Sequence, residues 1–184
     1  MKRRNMLETV REGGVILYPS DTLWGIGGDA RSDGTVRRIK KIKNRPEGKG
    51  LVVLVSDVEM LRKYVEEIPG KALEIIEKSL RPTTIIYPRS DGLSKEVCAP
   101  DGSVAIRIVK KGFAHDLIKT TGIPLVSTSA NISGKPAPLS FDDIEPAILE
   151  SVDYVVNLHR QKISGRPSRI VRINASGEVE IIRD

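Results

Sequence analysis

Three segments of the chain contain residue types and spacings that could do chemistry. The first, PSDTLWG at residues 19–25, combines two hydroxyl groups with the carboxylate of Asp21 and ends on a glycine. By itself this segment is typical of a strand-to-helix turn that Asp21 caps. Hydroxyl groups at the end of a strand can also bind a ligand, so the segment is either a turn or part of a site.

The second segment, KIKNRPEGKG at residues 41–50, is rich in cations. Lys43 and Arg45 lie two residues apart at the end of a helix that Pro46 stops, and Lys49 comes just before an apolar strand. Runs of this kind are usually solvated basic surfaces. Cations that point the same way could instead bind a polyphosphate, and both interpretations stand at this point.

The third segment, STSANISG at residues 127–134, has five hydrogen-bonding side chains in eight residues and directly follows the apolar residues 123–126. A turn needs only one or two such residues. Small hydroxyl and amide side chains allow backbone N–H groups to approach an anion closely. This density therefore favours a binding loop over a simple turn.

Several familiar kinds of site are absent from the sequence. There is no G-x-x-x-x-G-K-[ST] phosphate loop and no G-x-S-x-G nucleophile turn, and the glycines within residues 25–28 lack the spacing of a dinucleotide fingerprint. One cysteine and two histidines are too few for a closed zinc site of cysteine and histidine ligands. A bound nucleotide would therefore need a phosphate-binding element of another kind.

The elements that must position these segments alternate between strands and helices. Short apolar runs predict strands at residues 14–19, 51–55, 83–87, 104–109, 124–127, 154–158, 170–173 and 179–182. Helical spacing predicts helices from Asp33 to Pro46, through residues 60–65, and at 71–80, 113–120 and 140–151. The last two strands flank an Asn-Ala-Ser-Gly turn and should pair antiparallel. The sequence therefore predicts an α/β fold with a twisted, mixed parallel and antiparallel sheet flanked by helices.

The composition narrows the class of protein. A chain of 184 residues is expected to form a single domain, 1–184, and it carries a formal net charge of +6 with a pI of about 9.5. This balance favours an anionic partner. No apolar run is long enough for a signal peptide or a membrane span, and with one cysteine we expect a cytoplasmic protein without a membrane partner.

Taken together, YPSDTLWGIG, KNRPEGKGL and STSANISG, in this order, closely resemble the motifs of the YrdC-type family of threonylcarbamoyl-AMP synthases, in its single-domain short form. The resemblance covers nearly the whole chain. It implies a YrdC-like fold around a large basic cavity. It also implies a reaction in which ATP, bicarbonate and L-threonine give L-threonylcarbamoyl-AMP and diphosphate, for the t⁶A modification beside the tRNA anticodon.

The resemblance further implies which residues form the site. Lys43 and Arg45 are expected to be catalytic. The residues expected to bind ATP are Lys43, Arg45, Lys49, Ser103, Asn131 and Arg183. The residues expected to bind threonine are Thr22, Arg107, Ser129 and Ser168. Mg²⁺ is expected to arrive with ATP, without a tightly bound metal on protein ligands, and a complex that transfers the threonylcarbamoyl group to tRNA is expected downstream.

The sequence departs from the family pattern in the fine detail of the pocket. Ser20-Asp21 replaces a common Thr-Glu pair, and residues 80–84 replace a Pro-Gly-Pro stretch before its threonine. Leu54 and Leu139 replace a histidine and a hydroxyl found in some members. Two other functions remain as alternatives: a non-catalytic module that binds double-stranded RNA or tRNA through the basic cavity, and a relative that carbamoylates another acceptor.

Overall fold

The short apolar runs of the sequence lie side by side as strands of one sheet. In the computed structural model, which describes residues 5–158, 160, 165–174 and 176–184, these residues form a nine-stranded sheet. The strands are β1 Ile16–Pro19, β2 Trp24–Asp29, β3 Val52–Val55, β4 Thr83–Tyr87, β5 Val104–Ile108, β6 Leu125–Ser129, β7 Tyr154–Val155, β8 Arg169–Ile173 and β9 Val179–Arg183. Their order across the sheet is β7-β1-β2-β6-β3-β5-β4-β8-β9.

Strand pairs of both kinds occur in this sheet. The neighbours β7 and β1, β3 and β5, and β4 and β8 are parallel. The remaining neighbours are antiparallel, including the β8–β9 hairpin. The expected α/β fold with a mixed sheet is therefore confirmed, and so is the antiparallel pairing of the last two strands.

The helices join the strands and pack on the sheet. They are α1 Met6–Arg11, α2 Asp33–Ile42, α3 Val58–Leu61, α4 Gly70–Lys78, α5 Phe113–Thr121 and α6 Pro146–Ser151, with 3₁₀ turns at Lys95–Val97 and Phe141–Asp143. α2 contacts β2, and α5 contacts β1 and β3. Within the described residues, no helix is long and apolar enough to cross a bilayer.

Three helix predictions were wrong in extent. α2 ends at Ile42 rather than at Pro46, and Asn44 takes a positive φ of 48°, which ends the helical geometry before the proline. α3 ends at Leu61, so Tyr64 and Val65 lie beyond the helix although both are buried. Their burial needs only apolar contacts, which the turns after α3 also provide. The helix expected over residues 140–151 is divided, because Pro146 lacks an N–H group and stands at the first position of α6 rather than inside a helix.

All eight strand predictions correspond to strands of the sheet, one of them with the same ends as β4 and seven with shifted ends, but β2 was missed. Its sequence, WGIGGD, is rich in glycine, which is usually depleted in strands. A Cβ atom on Gly27 would lie 2.4 Å from the carbonyl oxygen of Val126 and 2.8 Å from the Cε1 atom of Tyr18. A Cβ atom on Gly28 would lie 2.5 Å from the Cγ2 atom of Thr35 on α2. Glycine is therefore required here by close packing on both faces of the strand.

A row of small and medium side chains crosses five strands on one face of the sheet. The register pairs Gly27 with Ser127, Ser127 with Val52, Val52 with Ala105, and Ala105 with Ile86. Directly paired residues present their side chains on the same face. Because most members of this row are short, the middle of this face is lower than its surroundings. The depression is the floor of the candidate site.

Candidate active site

A cavity of about 300 Å³ lies over the depression in the sheet. Six of the ten residues that the family resemblance implies line this cavity: Thr22, Arg45, Arg107, Ser129, Ser168 and Arg183. They come from the β1–β2 turn, the loop after α2, β5, β6, the segment before β8, and β9. Residues distant in sequence therefore meet in one place, and three of them carry a guanidinium group.

Lys43 connects the second and third motifs instead of facing the cavity. It is 2 % exposed, and its ammonium donates hydrogen bonds to the backbone carbonyls of Ser129 and Asn131, the latter at 2.6 Å. In return, the N–H of Ser133 donates to the carbonyl of Lys43 at 2.8 Å. Burial, with a smaller contribution from the charge of Arg45, lowers the pKa of Lys43 to about 8. Lys43 therefore fixes the loop after β6 against the end of α2.

Arg45 is held by the backbone of its own loop. Its Nε donates to the carbonyl of Lys49 at 3.2 Å, and Nη2 donates to the carbonyl of Gly50 at 2.6 Å. Burial lowers the pKa of the guanidinium, which still remains charged at neutral pH. Among the described residues it has no carboxylate partner, so its charge is not neutralised. The side chain of Lys49 is exposed and lies outside the cavity lining.

Arg183 shows the same kind of support on the other side of the cavity. Its Nε and Nη2 donate to the carbonyl of Ser168 at 3.1 and 2.7 Å. The Ser168 hydroxyl in turn lies 2.8 Å from the hydroxyl of Thr84 on β4. Burial, and then the nearby charge of Arg107, lower the pKa of Arg183. No carboxylate among the described residues pairs with it.

Arg107 is held differently, by a carboxylate. It is 3 % exposed on β5, and its Nη1 donates to Oδ2 of Asp21 at 2.5 Å. Its Nε is buried and has no hydrogen-bond partner among the described residues. An arginine in the middle of the apolar strand VAIRI must find an anion, and this is the signal in the sequence that could have pointed to Asp21.

The turn that carries Asp21 is not the capped strand-to-helix turn expected for the first segment by itself. It joins β1 to β2, so Asp21 does not stand at the start of a helix. The Ser20 hydroxyl instead accepts hydrogen bonds from the N–H groups of Thr22 and Leu23, at 3.0 and 3.1 Å, and donates to the Leu23 carbonyl at 2.6 Å. The turn is closed by Ser20, which leaves the Asp21 carboxylate available for Arg107.

Asn131 lies beside the cavity but is not part of its lining. Its Nδ2 donates to the carbonyls of Ile132 and Lys135 at 3.0 and 2.7 Å. Its Oδ1 is buried without a hydrogen-bond partner among the described residues. The amide therefore shapes the third motif and retains one unused acceptor.

Ser103 lies in a neighbouring cavity of about 760 Å³. Its hydroxyl donates to Oδ1 of Asp101 at 2.6 Å, and its N–H donates to the same oxygen at 2.9 Å. Ile86 lines both cavities, so the two are adjacent on the same face of the sheet. The structure thus separates Lys43, Lys49, Ser103 and Asn131 from the six residues that face the first cavity.

A buried tyrosine was not anticipated near the site. Tyr18 on β1 lies across the glycines of β2, and burial raises the pKa of its hydroxyl to about 12. The hydroxyl is therefore neutral at physiological pH. Within the described residues, no group of three or more histidine, cysteine, aspartate or glutamate side chains is placed to hold one metal ion.

Comparison with known proteins agrees with this fold. The chain is 36% identical over 183 residues to a threonylcarbamoyl-AMP synthase of Xanthomonas oryzae pv. oryzae, which covers 98% of this chain and 96% of that protein. It is 34% identical over 177 residues to a putative threonylcarbamoyl-AMP synthase of Methanocaldococcus jannaschii, covering 94% of this chain and 82% of that protein.

A solved structure with the same fold is P. abyssi Sua5 complexed with L-threonine, with a TM-score of 0.84 and 24% identity. The match covers 96% of this chain and 52% of that one, so the chain spans about half the length of Sua5. The family of Sua5, YciO and YrdC proteins, described as "Telomere recombination", matches residues 8–184. On this match over nearly its whole length, the chain belongs to the Sua5/YciO/YrdC family.

Proposed function

We propose that the chain is an L-threonylcarbamoyladenylate synthase, a nucleotidyltransferase that uses ATP, bicarbonate and L-threonine and releases diphosphate. The observation that carries this proposal is the meeting of Arg45, Arg107 and Arg183 in one cavity of the sheet. Full-length similarity to proteins named threonylcarbamoyl-AMP synthase supports the same reaction.

The chemistry explains why such a site needs cations more than a nucleophile. The amine of threonine and bicarbonate give a carbamate and water, and a carbamate oxygen then attacks the α-phosphorus of ATP. The bond between the α-phosphorus and its bridging oxygen breaks, and diphosphate leaves. Both partners are anions, so they repel each other until fixed positive charge offsets the repulsion. Fixed cations in a partly enclosed cavity also stabilise the charge that develops on the leaving group.

We assign the phosphates to the side of the cavity that Arg45 and Arg183 form. Neither guanidinium is paired with a carboxylate in the described part of the chain, so both retain a full charge for a polyanion. The Oδ1 of Asn131, two residues beyond the lining residue Ser129, is buried without a partner among the described residues, and we assign it as a further acceptor for the nucleotide. Lys43 supports this side by holding the loop after β6 rather than by touching phosphate.

We assign the threonine carboxylate to Arg107, with Thr22, Ser129 and Ser168 around it. A guanidinium binds a carboxylate through two parallel hydrogen bonds, which fixes its orientation as well as its position. Hydroxyl groups nearby can bind the threonine hydroxyl and the carbamate. This side of the cavity thus orients the nucleophile towards the phosphates.

In the proposed reaction, Mg²⁺ enters the site as part of the Mg·ATP substrate. The lining of the cavity consists of arginines, hydroxyls and apolar side chains, and this set suits phosphates rather than a metal ion. A magnesium ion bound by phosphate oxygens and water would reduce the charge of the triphosphate further. The protein groups that act on the bound nucleotide are the guanidinium groups described above.

Arrangement of the cations favours this function over the RNA-binding alternative. On the exposed face of α2, Arg37 and Lys40 pair with Glu96 at 3.5 and 2.9 Å, which reduces the charge available to an RNA backbone. From the basic run, Arg45 faces the cavity instead, and no carboxylate in the described part of the chain pairs with it. We place the reaction in the cytoplasm, upstream of a complex that passes the threonylcarbamoyl group to tRNA.

Pyrophosphate release by the purified protein tests the proposed function. With Mg·ATP, L-threonine and bicarbonate together, we expect diphosphate and threonylcarbamoyl-AMP, the latter identified by mass spectrometry. Omitting threonine or bicarbonate should stop the release. Release that continues without threonine contradicts the proposal, and faster turnover with another amino acid would identify a different acceptor.

A further inference from the structure

The ion pair between Asp21 and Arg107 lies on the boundary between two cavities. Arg107 lines the substrate cavity over the sheet, and Asp21 does not. Asp21 lines a second cavity of about 290 Å³, bounded by Ile75 and Ile108 among others. The carboxylate therefore contacts the guanidinium from outside the substrate cavity.

Arg107 has more hydrogen-bonding capacity than this one contact uses. Its guanidinium carries five N–H donors and is charged at any physiological pH. The contact with Asp21 uses Nη1, whereas Nε is buried and without a partner in the described part of the structure. A buried cation with unused donors is unfavourable unless a further acceptor binds there. Because Arg107 also lines the substrate cavity, an anion bound there would supply a further acceptor to its guanidinium.

Asp21 projects from a well-fixed turn. Three hydrogen bonds of the Ser20 hydroxyl close this turn, at 2.6 to 3.1 Å. The N–H of Gly165 also donates to the carbonyl of Thr22 at 2.9 Å. The backbone at Asp21 is therefore held on both sides, and its carboxylate is delivered to Arg107 from a fixed point.

From this geometry we infer that Asp21 is a positioning residue for amino-acid binding. Its carboxylate holds one side of the Arg107 guanidinium, so that the remaining donors meet the carboxylate of the substrate in a fixed orientation. This inference rests on the proposed function, because it takes the substrate of Arg107 to be an amino acid. A negative charge is required at this position, since an amide cannot balance a buried guanidinium.

Substitutions of Asp21 separate positioning from a general structural effect. In Asp21→Asn we expect the KM for L-threonine to rise by about tenfold or more, with kcat and the KM for ATP within about threefold of wild type. Asp21→Glu restores the charge and should recover part of the affinity. Asp29→Asn is the matched control, because it removes the carboxylate that pairs with Arg31 at 2.8 Å outside the site. Its kinetic constants should be those of wild type.

A thermal-shift measurement gives a readout that does not depend on turnover. L-Threonine should raise the Tm of the wild-type protein, whereas L-threoninamide, which lacks the carboxylate, should not. The threonine-induced shift should be lost in Asp21→Asn and partly recovered in Asp21→Glu. The ligand-free Tm of each variant shows whether it is folded, and Asp21→Glu keeps the test valid should Asp21→Asn unfold.

Opposite outcomes distinguish this inference from the proposed function. An unchanged or lower KM for threonine in Asp21→Asn overturns the inference, because the carboxylate would then be neutral or would compete with the substrate. A wild-type protein that releases no diphosphate, but whose threonine-induced shift disappears in Asp21→Asn, contradicts the proposed function and supports the positioning role.

Discussion

The two sides of the cavity hold their cations in different ways. Arg45 and Arg183 rest against backbone carbonyls, whereas Arg107 rests against the carboxylate of Asp21. A carbonyl fixes the position of a guanidinium and leaves its net charge intact. A carboxylate fixes the position and also neutralises the charge. The side with unpaired cations is therefore suited to a polyanion, and the paired side to a single carboxylate group of a ligand.

Among the changes that test this difference between the two sides, removing the guanidinium of Arg45 should have the largest effect on the reaction rate. In Arg45→Ala we expect the rate of diphosphate formation to fall by about 10²–10³-fold, by analogy with the loss of one donor to a developing oxyanion. The effect should be larger than that of Asp21→Asn, because the proposed function assigns Arg45 to direct contact with the phosphates and Asp21 to indirect positioning. Steady-state kinetics with varied ATP measure it.

The matched control for Arg45 is Lys41→Ala, which removes an exposed cation from the same basic run. Its rate should stay within about twofold of wild type, as for other surface substitutions. Equal losses in the two variants would mean that overall charge, and not the position of Arg45, attracts the nucleotide. The distinction between the two sides of the cavity would then be lost.

A substitution of Lys43 tests whether this residue holds the loop on the side of the cavity that we assign to the phosphates. We expect an effect of intermediate size on stability. In Lys43→Met the two hydrogen bonds to the Ser129 and Asn131 carbonyls are lost, while the buried volume is nearly kept. The desolvation of an ammonium is also relieved, so we expect a net loss of about 1–2 kcal/mol in the free energy of unfolding at pH 7. Denaturant unfolding measures it, with the exposed Lys41→Met as control. A variant as stable as wild type would contradict the expectation that these two hydrogen bonds outweigh the desolvation of the ammonium.

The difference in stability between wild type and Lys43→Met should also change with pH. The native pKa of Lys43 is lowered to about 8 from an unfolded value of 10.5, so the unfolded chain binds more protons between these values. The stability of the wild type relative to Lys43→Met should therefore rise with pH, by about 2 kcal/mol from pH 8 to pH 10. The raised pKa of Tyr18, a group present in both proteins, cancels in this difference.

Changes in salt concentration should have the smallest effect, on the KM values for ATP and threonine. They also provide a further test of the difference between the two sides of the cavity. Raising NaCl from about 0.05 to 0.2 M should increase the KM for ATP by about threefold, because several charges attract the triphosphate. The KM for threonine should change by less than about twofold, since Arg107 is buried and already paired. Equal salt dependence of both constants would argue that the two sides have the same electrostatic character.

Most of the strands could be predicted from the sequence because their apolar runs are short and bounded by polar residues. β2 could not, since its glycines carry no hydrophobic signal and are required by contacts with Tyr18, Val126 and Thr35. These contacts join segments that are far apart in the chain. A strand that exists to allow close approach of its neighbours is visible only after those neighbours are placed.

The candidate site shows the same division between local and distant information. The density of hydroxyls in residues 127–134 predicted a binding loop from local composition, and residues 127–129 of this segment line the cavity. The sequence of the basic run did not predict which of its cations would be buried, which exposed and which would face the cavity. Lys43 is buried against carbonyls, Lys49 is exposed, and Arg45 faces the cavity. The position of Lys43 depends on carbonyls of Ser129 and Asn131, which the run itself does not contain.

The glycines of β2 also determine how such a pocket could change during evolution. A Cβ atom on Gly25 would meet its nearest neighbours, on Thr128, Ser127 and Tyr18, at 3.4–3.6 Å, which is ordinary contact. At Gly27 the same atom would collide with a neighbouring backbone. Of these two glycines, therefore, only Gly25 can be replaced by alanine during evolution to make the cavity smaller by one methyl group. The same replacement at Gly27 would disrupt the sheet before it could change which substrate is preferred.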